Sequence, residues 1–171
     1  EAAHFLDALA RATDLGLVQD AVLAQSEKER AAFWAIRDNI ESLAVLWPLA
    51  IFDISLPLAT MEDYLERTGA RLEQRLGELR WVTFGHLGDS NLHLAIALGG
   101  DDPALRHAVE EIVYAGLAGI GGSVSAEHGI GLEKREFLHC SRSATEIELM
   151  KTLKRALDPR NILNPERIFH L

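Results

Sequence analysis

The chain has 171 residues, 48% hydrophobic and 25% charged, a globular balance that excludes intrinsic disorder and suits one domain's worth of core. Seventeen Lys and Arg stand against 26 Asp and Glu, a formal charge of −9 without a basic cluster, which argues against nucleic acid and anionic membrane surfaces as partners. The one cysteine, Cys140, excludes an intramolecular disulfide and a cysteine-rich zinc site, and points to a reducing compartment.

Phe5, Leu6 and Leu9 at helical spacing predict a helix over residues 2–11. The chain opens at Glu1, without Met and inside this pattern, and reads as a portion of a longer protein. The apolar run Leu17 to Leu23 reads as a strand. Ser26-Glu27-Lys28-Glu29 is a capping box for a helix that runs through Phe33, Ile36, Ile40 and Leu43 to about Leu46, with Trp34 and Trp47 as its core anchors. Pro48 stops it. Residues 49–57 read as a strand, and Thr60 to Gly77 as an amphipathic helix with Met61, Tyr64, Leu65, Thr68, Leu72 and Leu76 on one face. Trp81–Gly85 and Leu92–Leu98 form a hairpin around Leu87–Asn91. Asp102-Pro103 caps a helix to about Leu117, and Gly121–Ser125 reads as a short strand. A glycine-bracketed loop, a helix from about Ser143 to Ala156 and a Pro-rich tail close the chain. This order predicts an α+β fold: a ferredoxin-like mixed, mostly antiparallel sheet with helices on one face and a C-terminal helical tail. Residues 1–120 would form its core and 121–171 a loop and C-terminal segment.

Chemistry concentrates around the hairpin. His86 and His93 bracket its turn in Gly85-His86-Leu87-Gly88-Asp89-Ser90-Asn91-Leu92-His93-Leu94, a rigid way to aim two imidazoles at one ion. Ser125-Ala126-Glu127-His128-Gly129 supplies a carboxylate and a third imidazole. Two His and one carboxylate suit zinc, manganese or iron with positions left open. Spacing alone leaves structural histidines as an equal reading. Asp89 reads as a turn cap, Lys134 and Arg135 as a solvated face, and His4, His107, His139 and His170 as surface residues.

Gly85–Leu94 resembles a GHLGDGNLHL motif, and Gly122–Gly131 a GSVSAEHGIG motif, of FAD-linked 2-hydroxy-acid dehydrogenases in the vanillyl-alcohol-oxidase superfamily. Phe33-Trp34-Ala35-Ile36-Arg37, Asp53-Ile54-Ser55-Leu56-Pro57 and Leu157-Asp158-Pro159…Ile162-Leu163-Asn164-Pro165 resemble the same D-lactate, glycolate and D-2-hydroxyglutarate enzymes in the same order. The resemblance implies the substrate, or cap, portion of such an enzyme, with its FAD domain upstream and residues 121–171 packed on that domain. It implies His86, His93 and Glu127 as metal ligands, zinc first with manganese or iron as alternatives, and His128 as catalytic base. Arg37 and Asn91 would bind substrate, and Asn164 would approach the flavin. The implied reaction is metal-assisted oxidation of a D-2-hydroxy acid to the 2-oxo acid, with hydride passing to FAD and on to an unidentified electron acceptor. The expected compartment is cytoplasmic, with the acceptor as a link to a membrane and a homodimer as a further partner. The rivals are a metal-dependent hydrolase using the same site and a non-catalytic oligomerisation module. Three residues depart from the family pattern: Ser90 for Gly, Glu41 for a Thr, and Phe52 for a Lys of the D-2-hydroxyglutarate branch. The lost cation and the added carboxylate predict a monocarboxylate substrate with Phe52 near its tail.

Overall fold

In the computed structural model, which describes residues 2–171, the chain divides into two units between Ser42 and Leu43. The expected boundary at 120/121 is not where compactness breaks, because the segment after 120 returns to the sheet through the bridge Ser55–Ser123. Among the described residues no helix is long and apolar enough to cross a membrane.

The first unit holds α1 (Ala2–Asp14) and α2 (Glu27–Arg37). Ser26 caps α2 by accepting from the Glu29 N–H. The helix does not reach Leu46: it stops at Asp38, and a 3-10 turn follows over Ile40–Leu46. Asp38-Asn39 are residues whose side chains compete for backbone groups and favour helix ends. Leu17 to Leu23 forms no strand, and Leu17 and Val22 are exposed. Trp34 is 56% exposed and Trp47 in the second unit 77%, so neither anchors a core here.

The second unit carries β1 (Leu49–Ser55), α3 (Met61–Leu76), β2 (Trp81–His86), β3 (Asn91–Ala97), α4 (Pro103–Ala115) and α5 (Ala144–Leu157). The sheet order is β1-β3-β2 with antiparallel pairings, so β1 and β2 run parallel on either side of β3. This is the split β-α-β arrangement of ferredoxin-like folds, and the predicted strand at 121–125 survives only as the Ser55–Ser123 bridge on the outer edge of β1. Gly122 permits that approach, since a Cβ there would come within 3.2 Å of the Ser55 carbonyl and 2.9 Å of Leu117.

Alternation along the strands gives the sheet two faces of different chemistry. Ala50, Phe52 and Ile54 pair with Ile96, Leu94 and Leu92, and all six are buried. They meet Tyr64 and Leu72 of α3 and Val109, Val113 and Tyr114 of α4 in one apolar cluster. Tyr64 donates its hydroxyl to the Val113 carbonyl at 2.9 Å, which ties the two helices together. Asp102 caps α4 through the Ala104 N–H, and a Ser143–Glu146 capping box starts α5, which buries none of its residues. The opposite face carries Ile51, Asp53 and Ser55 against Ala95, His93 and Asn91.

Candidate metal and acid–base site

Two registered rows cross this second face. Asp53, His93 and Phe84 form one; Ser55, Asn91 and His86 form the next. The hairpin that delivers them closes tightly at Gly85, where a Cβ would fall 2.3 Å from the Asn91 carbonyl oxygen. A one-residue slip would send His93 and Asn91 into the apolar core, so the burial of Leu92, Leu94 and Ile96 fixes the position of the polar residues between them. Residues 121–134, which contain no helix or strand, bring in Glu127 and His128.

Nε2 of His93 lies 3.3 Å from Oε1 of Glu127. The His128 ring stacks on that of His93 with centroids 5.6 Å apart and 22° between planes. Asn91 donates from Nδ2 to Glu127 Oε1 at 3.0 Å, while its buried Oδ1 has no partner. Burial holds His93 below the ordinary histidine range, and the charges of Asp53 and Glu127 offset this only in part. His93 is therefore a neutral imidazole near pH 7, the form that ligates metals.

Asp53 is the residue that the sequence reading missed. Its side chain is 1% exposed, and burial by itself raises its pKa. Hydrogen bonds from the His128 and Glu127 N–H groups, the Lys134 charge and the Ser125 hydroxyl outweigh burial and bring it down to about 2. The available signal was a single carboxylate within the apolar run Leu49–Leu56. Lys134 was expected on a solvated face and is instead buried, with Nζ 3.3 Å from Asp53 Oδ2. Arg135, expected beside it, donates to the Glu166 carbonyl at 2.7 Å and keeps only 19% of its side chain exposed.

Asp53, His93, Glu127 and His128 each place one ligand atom so that all four lie within 4.8 Å of one another. His86 stands outside that group, its ring centroid 6.2 Å from that of His93. The donor set fits a divalent cation: two ligands at ordinary zinc distances and a tetrahedral angle are about 3.4 Å apart, against 3.3 Å for His93 Nε2 and Glu127 Oε1.

Other expected site residues fall elsewhere. Phe52 points to the helix face, 1% exposed and edge-on to Tyr114, so the expectation of a substrate contact there is corrected. The side chain that β1 presents on the site's face is its neighbour Ile51, 55% exposed. Arg37 belongs to the first unit, where its guanidinium bonds Asp38 at 2.9 Å and lies 5.9 Å over the Trp34 ring. Asn164 is exposed in the C-terminal tail with a left-handed backbone, φ 47°.

A family model for the C-terminal domain of FAD linked oxidases matches residues 1–168. The chain is 39% identical over 161 residues, 94% of its length, to the mitochondrial D-2-hydroxyglutarate dehydrogenase of Bos taurus. It is 38% identical over 160 residues, 90% of its length, to the D-2-hydroxyglutarate dehydrogenase of Xanthomonas citri pv. viticola. It is also 38% identical over 159 residues, 87% of its length, to a putative mitochondrial D-lactate dehydrogenase of Schizosaccharomyces pombe. It spans 29%, 34% and 30% of these relatives, respectively.

Proposed function

Because the chain belongs to the family of FAD-linked oxidase C-terminal domains, we propose that it forms the substrate-side part of a flavoprotein that oxidises a D-2-hydroxy acid to the 2-oxo acid. The observation that carries this reading is the convergence of His93, Glu127 and His128 on one sheet face, beside the orphaned Oδ1 of Asn91. The reaction removes a proton from the 2-hydroxyl and a hydride from C2. His93 and Glu127 would hold a divalent ion, zinc before manganese or iron; His86, outside the converged group with its ring 6.2 Å from that of His93, would have to turn inward to serve as third ligand. Such an ion supplies positive charge that favours loss of the hydroxyl proton, and a flavin, held by another part of the protein, supplies the two-electron acceptor.

His128 accepts the hydroxyl proton in this reading. An imidazole is the side chain best suited to proton transfer near neutral pH. Asn91 orients Glu127 through its Nδ2 and offers Oδ1 to the substrate or its hydroxyl. Arg37, on the first unit, would serve to bind a substrate carboxylate through paired hydrogen bonds, and Asn164 to approach the flavin. Ile51, Ala95 and Val82 form an apolar row next to that of His93. This favours a monocarboxylate with an aliphatic or aromatic tail, although two of the relatives above are named for D-2-hydroxyglutarate.

The test is steady-state oxidation of a panel of D-2-hydroxy acids by the full-length protein with an artificial electron acceptor. Activity is expected to vanish on chelation, return with Zn²⁺ or Mn²⁺, and show the highest kcat/KM on a monocarboxylate. Activity indifferent to chelation, with no metal by elemental analysis, would overturn the metal reading. A strong preference for 2-hydroxyglutarate would overturn the substrate reading alone.

A further inference from the structure

Glu127 and His128 sit on a segment without regular structure, yet the proposed chemistry needs both side chains held to a fraction of an ångström. One strand residue supplies that hold. The Asp53 carboxylate accepts from the His128 N–H at 2.8 Å, the Glu127 N–H at 3.2 Å and the Ser125 hydroxyl at 3.0 Å, while its main-chain oxygen accepts from the Ala126 N–H at 3.3 Å. Every residue from Ser125 to His128 is thus tied to Asp53. Lys134 closes the arrangement from beneath, donating from Nζ to Oδ2 at 3.3 Å, to the Asp53 carbonyl at 3.2 Å and to the Ser125 hydroxyl at 3.2 Å.

We propose that Asp53, locked by Lys134, is a positioning residue that folds residues 125–128 onto the sheet and aims Glu127 and His128, and is not itself a metal ligand; this rests on the metal and base roles proposed above. An ionised carboxylate oxygen offers about two lone-pair directions, and Oδ2 of Asp53 is fully taken by Ser125, Glu127, His128 and Lys134, while Oδ1 shares the Glu127 N–H at 3.3 Å. Its Oδ1 faces Nδ1 of His93 at 3.9 Å, the side of the ring turned away from Glu127. At that distance the carboxylate acts on the ring by its charge and not through a hydrogen bond. Lys134 is needed because a buried carboxylate with no cation beside it is strongly unfavourable. The same ammonium binds Ser125 and Asp53 at once, so it fastens the strand to the loop as well as balancing charge.

The experiment compares the full-length protein with its Asp53→Asn, Lys134→Met and Lys134→Arg variants in two measurements. Amide hydrogen exchange at Glu127 and His128 reads the loop, with the amides of α3 and α4 as the control for intact folding. Competition with a chromogenic chelator reads Zn²⁺ affinity. Asp53→Asn is expected to speed exchange at both loop amides by about tenfold or more and to weaken Zn²⁺ binding by about 10–100-fold, with the helix amides unchanged. Lys134→Met should move both readings the same way, and Lys134→Arg should restore most of the loss. Zn²⁺ binding by Lys134→Met as tight as the parent's, or tighter, would make Asp53 a released ligand and overturn the proposal. So would unchanged loop exchange in Asp53→Asn. If Asp53→Asn does not fold, the Lys134 pair decides. If no form takes up Zn²⁺, the metal reading fails, and the exchange data still decide whether Asp53 positions the loop.

Discussion

β3 is buried on both faces of the sheet, for opposite reasons. On one face Leu92, Leu94 and Ile96 disappear beneath α3 and α4, and burial there supplies stability roughly in proportion to apolar area. On the other face Asn91 and His93 are buried among polar partners, with the 121–134 segment folded nearby. Burial on that face costs free energy unless each group finds a partner. A single register serves both: the apolar face fixes where β3 sits, and the polar face takes its geometry from that placement. The comparison teaches that the two faces should fail separately, one by losing fold and the other by losing chemistry.

The largest separation is expected at His128. In the full-length protein His128→Ala should lower kcat by about 10²–10⁴-fold, the range for losing a general base. Metal content and melting temperature should stay near those of the parent, because the imidazole is 57% exposed and supports no core. Loss of metal together with activity would show that His128, which lies in the ligand-competent group with His93, is a ligand and not the base. The converse variant is Leu94→Ala, whose side chain is fully buried on the helix face. It should cost about 2–5 kcal/mol of stability by denaturant titration. At temperatures where the variant remains folded, Zn²⁺ affinity should change little. A matching collapse of Zn²⁺ binding in the folded variant would break the separation of the two faces.

A smaller effect follows from the depressed pKa of Asp53. A carboxyl whose folded value is about 2, against an ordinary 3.8, contributes stability that is fully present above 3.8 and lost as pH falls through about 2. Glu146 and Asp158 are also held low by hydrogen bonds, so the parent's acid profile alone is not diagnostic. The difference in melting temperature between the parent and Asp53→Asn is. It should be constant from pH 7 to about 5 and shrink between about 4 and 2. A difference that stays constant across that window would place the carboxylate outside the hydrogen-bonded pocket.

The helix face was the more legible of the two in the sequence. Alternation around Phe52, Ile54, Leu92 and Leu94, and the spacing of Tyr64, Thr68 and Leu72 in α3, report contacts that repeat at a fixed interval. His93 and Glu127 were legible as chemistry, and the structure brings them together. Asp53 and Lys134 were not, because their meaning lies in a pairing 81 residues apart that no local pattern encodes. Phe52 was misplaced by one residue, which in a strand is the difference between a site and a core. The run Leu17 to Leu23 failed for a related reason. Apolar content predicts a strand only where a partner exists to bury it, and Gln19-Asp20 interrupt the run where Leu17 and Val22 stay exposed.

The smallest expected effect lies at the tip of the hairpin that joins the faces. Ser90 has φ 58° and ψ 22°, a left-handed conformation that a side chain disfavours. The conformation is kept because the residue is held on both sides: its N–H donates to the Leu87 carbonyl at 3.1 Å, and its carbonyl accepts from the Leu56 N–H at 3.2 Å. Neither bond uses the side chain. Ser90→Gly should therefore keep both bonds while relieving the strain, and raise stability by about 0.5–1 kcal/mol after the unfolded glycine's added freedom is subtracted. Zn²⁺ affinity should be unchanged, since Asn91 and His93 are placed by the β3 pairings and not by the turn. A variant that is less stable than the parent would mean that the Ser90 hydroxyl holds the turn. One that is equally stable but binds Zn²⁺ differently would mean that the turn, and not the register of β3, sets the polar face.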